Sequence, residues 1–148
     1  MYWLRKFLRL SSTERYMLLR ATLLLGTIGL GLRFLPFGTF WSIFARMSSP
    51  ACAISAGAGR AYLNRVVWAV SAAGRHMPGG GRCLFQALAA KVLLSRRGLP
   101  ALLRIGVDRR GERGMQAHAW VECGGRVVIG GADDLSSYAP LLVTQMET

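Results

Sequence analysis

Two residues of this 148-residue chain combine the type and the sequence setting that thiol chemistry needs, Cys83 and His118. Cys83 follows Gly79-Gly80-Gly81-Arg82 and opens the run CLFQALAAKVLLSRR, in which good helix formers dominate. A cysteine in the first turn of a helix meets unpaired backbone N–H groups and the positive end of the helix dipole. Both favour the thiolate, the nucleophilic form. His118 lies in MQAHAWVEC, whose alternation of period two marks a strand. A thiol and an imidazole in hydrogen-bond reach are the minimum for nucleophilic catalysis, the imidazole taking the proton and later returning it. Each residue also has a plainer reading, Cys83 as a small packing thiol and His118 as a structural histidine.

A third group commonly orients such a histidine, and strand register says where to look. Ala117, Ala119, Val121 and Cys123 point one way and suit a core, so His118, Trp120 and Glu122 occupy the opposite face. Gly124-Gly125 is a two-residue hairpin signal. It pairs Cys123 with Arg126 and sets His118 opposite Gly131. Neither Gly130 nor Gly131 has a side chain to offer. Asp133, two residues on and on the same face if the strand continues, is the preferred orienter. A Cys–His dyad held by a backbone or amide group is the alternative. Glu122 shares the face of His118 but lies about 13 Å along the strand. Oxyanion donors would be the backbone N–H groups at Cys83 and its neighbours. Gln86, one turn into the helix, either lines the pocket or is a solvated polar residue.

The elements that must hold these groups are legible in outline. Ser11-Ser12-Thr13-Glu14 is a capping-box pattern and starts a helix that runs to about Leu32. Its residues 21–32 are apolar on every side, as in a core-packing helix or one in peripheral contact with lipid. That apolar stretch is shorter than the roughly 20 residues of a bilayer span. The lead-in also lacks the cleavage site of a secretory signal. Pro36 breaks the pattern, and residues 37–47 form a second helix. A third covers residues 58–73 and ends at Gly74, with Tyr62, Val66, Val67, Trp68 and Val70 as core candidates. Gly98 stops the Cys83 helix in a left-handed turn and Pro100 prevents its resumption. Strands are expected over 102–107, 115–123 and 126–129. Helices followed by a small antiparallel sheet give an α+β fold. Ser48-Ser49-Pro50 divides an N-terminal helical segment, 1–50, from a core, 51–148.

Formal charge is +12, yet 52% of residues are hydrophobic, which argues against disorder. The basic excess favours an acidic peptide, nucleic acid or anionic lipid as partner without choosing among them. Three cysteines with no CxxC pair suggest free thiols in a reducing compartment. Cys52 and Cys123 read as structural. His76 and His118 lack ligand spacing to a second His or Cys, so a zinc site is poorly supported; no cofactor is expected, and the sequence leaves any nucleotide requirement open.

The runs CLFQALAAKVLLSRRGLPALLRIGV, AHAWVECGGRVVIGG and YAPL closely resemble the transglutaminase-like leader peptidases of lasso-peptide biosynthesis, the stand-alone catalytic half of the split B protein. The helices with LSSTERYMLL and LRFLPF resemble the same family more weakly. The resemblance implies a papain-like or transglutaminase-like α+β core with its catalytic cysteine at Cys83 and its histidine at His118. The third residue, an aspartate in some members, would fall near Gly130, where this chain departs from the family. The implied reaction removes the leader from a ribosomally made precursor before a separate cyclase closes the macrolactam. A separate leader-recognition protein is the implied partner, and no nucleic acid is expected. The implied location is cytoplasmic, with room for contact at the inner membrane surface. Two other readings compete: an acyltransferase on the same fold, and a non-enzymatic basic protein held at a membrane or nucleic acid by its arginines.

Overall fold

Ser11 starts the first long helix as the sequence dictates. Its hydroxyl accepts from the Glu14 N–H at 3.3 Å, and the Glu14 carboxylate accepts from the Ser11 N–H at 2.8 Å. Together these close a capping box. The computed structural model describes residues 5, 7–49, 56–77, 82–108, 116–131 and 135–144. Four helices and four strands occur among them: α1 (Ser12–Phe34), α2 (Phe37–Met47), α3 (Ala56–Gly74), α4 (Arg82–Ser95), β1 (Ala101–Asp108), β2 (Gln116–Cys123), β3 (Arg126–Ile129) and β4 (Tyr138–Thr144). The fold is α+β, as expected.

Helix α4 is the hub. Every residue from Ala87 to Ser95 is buried, because this helix meets α1 and α3 on one side and β1, β2 and β3 on another. A helix enclosed all round needs no polar face, and its sequence has almost none. Leu88, Val92, Leu93 and Leu94 are fully buried, each stabilising the fold by about 1.5–3 kcal/mol relative to exposure. The exception is Lys91. Burial lowers its pKa, and its ammonium donates to the Ala101 carbonyl at the start of β1. Gly98, with φ 72°, ends the helix in the left-handed turn expected of it, its N–H donating to Ser95 at 2.9 Å.

Helices α1 and α3 pack against each other and against α4. From α1 come Met17, Ala21, Leu25 and Ile28, a single face. Leu24 and Leu32 are part-buried beside them and the opposite side is exposed, so the helix packs on the core by one side and leaves the other uncovered. By length and composition alone α1 could cross a membrane. From α3, Tyr62, Val66, Ala69 and Val70 are buried at helical spacing, and the Tyr62 hydroxyl donates to the Leu93 carbonyl at 3.1 Å. Trp68 is off this stripe and exposed. It is not the core residue anticipated for it.

The sheet has the order β3-β2-β1-β4, antiparallel throughout. Leu103, Ala119, Val121 and Ile129 turn towards the helices and join their core. At the β2–β3 hairpin Gly124 and Gly125 both take positive φ, 59° and 76°, the requirement of a two-residue turn matched to strand twist. Cys123 pairs with Arg126 as expected, but a bulge follows: Glu122 faces Val127 while Val121 faces Ile129. The extra residue shifts the register by one, so the placement of His118 opposite Gly131 does not hold. Strand β4, unanticipated, forms the sheet edge beside β1, and its Pro140 lies opposite Gly106 next to an irregularity. A proline is tolerated there because an edge strand has backbone groups with no ladder partner.

Candidate active site

Cys83 is the second residue of α4 and a free, half-buried thiol. The first turn, Arg82 to Gln86, is the only part of α4 that emerges from the core. Gln86 neither floats in solvent nor stands apart. Its side chain lies on Gly74 at the end of α3, so close that a Cβ on Gly74 would fall 2.6 Å from Gln86 Cγ. That contact ties the turn bearing the thiol to the preceding helix. The glycine run 79–81 lies outside the described residues.

His118 stands on β2 opposite Gly106, on the face turned away from the helices, as the alternation requires. Three rings assemble on that face. The imidazole lies 6.2 Å from the Trp120 ring, nearly parallel at 22°, and 5.3 Å from the Tyr138 ring. Gly106 makes room for them: a Cβ there would lie 2.9 Å from Tyr138 Cβ and 3.1 Å from the Trp120 ring. Trp120 is buried, and its indole N–H donates to Glu122 Oε1 at 3.0 Å. The same oxygen lies 2.9 Å from Arg104 Nε as an ion pair, although that N–H does not point at it squarely enough to count as a hydrogen bond. Glu122 is thus engaged in holding the indole rather than in orienting the histidine.

The imidazole is fixed by the main chain. His118 Nε2 sits 2.6 Å from the Gly130 carbonyl oxygen. A carbonyl only accepts, so Nε2 carries the hydrogen, and in the neutral ring Nδ1 keeps its lone pair. Gly130 can do this because it has no side chain. It takes φ 76°, and a Cβ would fall 2.4 Å from the Ala119 carbonyl oxygen and 3.0 Å from Trp120 Cα. Near the position where the resemblance would put a third catalytic residue, this chain brings its backbone against β2 and offers a carbonyl instead.

Strand β3 ends at Ile129, so the continuous strand invoked to carry Asp133 onto the face of His118 is absent. Asp133 itself lies outside the described residues, as does Cys52. Among the described residues no hydrogen bond joins Cys83 to His118. Helix α4 packs on β2, but on the face of Ala119 and Val121, opposite to that of His118. Cys123 is half-buried, and burial raises its pKa, which suits an inert thiol.

Sequence reasoning discarded Gly130 because it has no side chain. The usable signal was the glycine pair directly after a short strand, a place where backbone approaches backbone closely. No curated protein and no solved structure matches the chain. The family described as the transglutaminase-like superfamily matches residues 31–143, from the last turn of α1 into the last strand, β4. With α4, β2 and the ring-lined histidine all inside that match, the chain belongs to the transglutaminase-like superfamily.

Proposed function

We propose that the protein is a cysteine peptidase that removes the leader from a ribosomally made lasso-peptide precursor, with Cys83 as nucleophile and His118 as base. The observation that carries the reading is the imidazole tethered through Nε2 to Gly130, within a superfamily match that also contains a cysteine at a helix start. A neutral ring so held keeps its Nδ1 lone pair, and the reading requires Cys83 to reach it for the thiol proton to pass, since the ring faces away from the helices. Asp133, untouched by this geometry, is kept as a second candidate for the orienting role.

The thiolate adds to the carbonyl carbon at the leader–core junction, forming a C–S bond. The tetrahedral oxyanion is met by N–H groups of the first turn of α4. The C–N bond breaks, and the imidazolium returns its proton to the departing core amine. Water then attacks the thioester while the imidazole accepts its proton, releasing the leader carboxylate and restoring the thiol pair. The freed amine is what a cyclase needs for macrolactam closure. No cofactor enters these steps. A leader-recognition protein presents the substrate, and the setting is the cytoplasm.

Mass spectrometry of a lasso-type precursor incubated with its leader-binding partner and this enzyme tests the reading. Separate leader and core masses are expected, and Cys83→Ala is expected to abolish them. Cleavage at full rate by Cys83→Ala would refute the assignment. A product that keeps the leader mass plus an added amine would make the enzyme an acyltransferase, a chemistry the same superfamily fold accommodates.

A further inference from the structure

Helix α1 has two apolar faces, and the fold uses one. Met17, Ala21, Leu25 and Ile28 are buried against the domain. Tyr16, Leu19, Leu23, Leu30 and Phe34 gather on the far side, within about 60° of one another on a wheel of 3.6 residues per turn. Each of the five is 56–72% exposed. Single exposed leucines are ordinary, but a stripe along five turns, interrupted at Gly26 and Thr27, marks a contact surface.

The surroundings of the stripe say what covers it. On the same wheel Arg15 and Arg33 border one side and Arg20 the other, and the chain as a whole carries +12. Leu23 also borders a cleft of about 260 Å³ in which Arg20 and Arg96 accompany Leu24, Met47 and Leu93. Guanidinium groups beside an apolar cleft match a phosphate headgroup with its acyl chain below. An apolar stripe between cationic margins is the pattern of a helix lying in the interface of a bilayer. A spanning orientation would pull Met17, Ala21, Leu25 and Ile28 out of the core they help to form. We infer that α1 lies flat on an anionic membrane surface, with Leu19, Leu23, Leu30 and Phe34 in the acyl boundary and the flanking arginines at the phosphates. This stands apart from the peptidase reading, since none of these residues belongs to the site.

Flotation of the full-length protein with vesicles of phosphatidylcholine containing phosphatidylglycerol, against phosphatidylcholine alone, tests it. The wild type is expected to float with the anionic vesicles, weaken with salt and keep a salt-resistant fraction. Leu23→Glu with Leu30→Glu is expected to cut binding roughly tenfold or more, because two apolar anchors leave the acyl region. Its circular dichroism melt is expected to match wild type. If the glutamates impair folding, Leu23→Ser with Leu30→Ser is expected to show the same loss in smaller measure. Folded variants that float like wild type would overturn the inference, as would complete loss of wild-type binding in salt. A wild-type dimer in lipid-free solution that the leucine variants dissolve, with no flotation, would assign the stripe to a second copy instead.

Discussion

The two faces of β2 carry opposite kinds of residue and are held by opposite kinds of force. Towards the helices it offers Ala119 and Val121, almost wholly buried in the apolar core. Away from them it offers His118, Trp120 and Glu122, fixed by directed contacts to Gly130, Tyr138 and Arg104. The apolar face secures the strand and is indifferent to chemistry. The polar face has its orientation set group by group, which is what a titrating ring in a catalytic role requires. One strand thus separates apolar packing from directed polar contacts by the direction of alternate side chains.

The sharpest way to break this division is to place a charge on the wrong side. Val121→Asp sets a carboxylate in the apolar core between Leu103 and Ile129, and is expected to cost more than about 4 kcal/mol. Urea denaturation followed by circular dichroism should find it largely unfolded at neutral pH. One residue along, Glu122 already places a charge on the other face, at 2.9 Å from Arg104 Nε. A destabilisation by Val121→Asp below about 1 kcal/mol would mean that the two faces do not differ as described.

Next in size is Gly130, where the strand's polar face depends on backbone alone. Gly130→Ala must adopt φ 76° and clear the Ala119 carbonyl, at an expected cost of about 2–3 kcal/mol. The displaced carbonyl would also free the imidazole, so on the peptidase reading cleavage by the folded fraction is expected to fall. Stability measured by urea and activity measured per folded molecule separate the two effects. Glu122→Gln is gentler. It keeps an acceptor for the indole and loses the charge facing Arg104, which is part-exposed, so about 1 kcal/mol or less is expected. A thermal melt shifted as far as that of Gly130→Ala would show that the ion pair, not the backbone, sets this face.

What could be read in the sequence was whatever is decided locally. Ser11 and Glu14 satisfy each other within one turn, so the start of α1 is written in four residues. Gly124 and Gly125 need positive φ for a two-residue turn, so the hairpin and its first pair, Cys123 with Arg126, follow. The alternation that put His118 opposite the core face follows equally from one strand. The bulge beyond Glu122 does not, because an extra residue in a ladder is settled by packing against the neighbouring strand. Nor does the edge strand at Tyr138, whose proline argues against a strand until its partner is known. The orienting oxygen at Gly130 was least legible of all, since every residue has a carbonyl and only the fold decides which one meets the imidazole.

The smallest expected effects compare two titrating groups, one buried and one half-buried, that respond to pH in opposite directions. Burial lowers the pKa of Lys91 in α4, so between its folded value and the ordinary lysine value the unfolded chain binds more protons. Stability should therefore rise with pH across that alkaline window, the penalty being greatest below the folded pKa. Burial raises the pKa of Cys123 in β2, so between the ordinary thiol value and its folded value the folded chain holds more protons. Its contribution should fall as pH rises across that window. Lys91→Met removes the first trend and is expected to leave a curve that declines at alkaline pH. Cys123→Ala removes the second and should leave one that climbs. Urea midpoints taken from neutral pH upwards for both variants and the wild type would reveal the crossing, and parallel curves would place neither group in the low-dielectric surroundings that shift it.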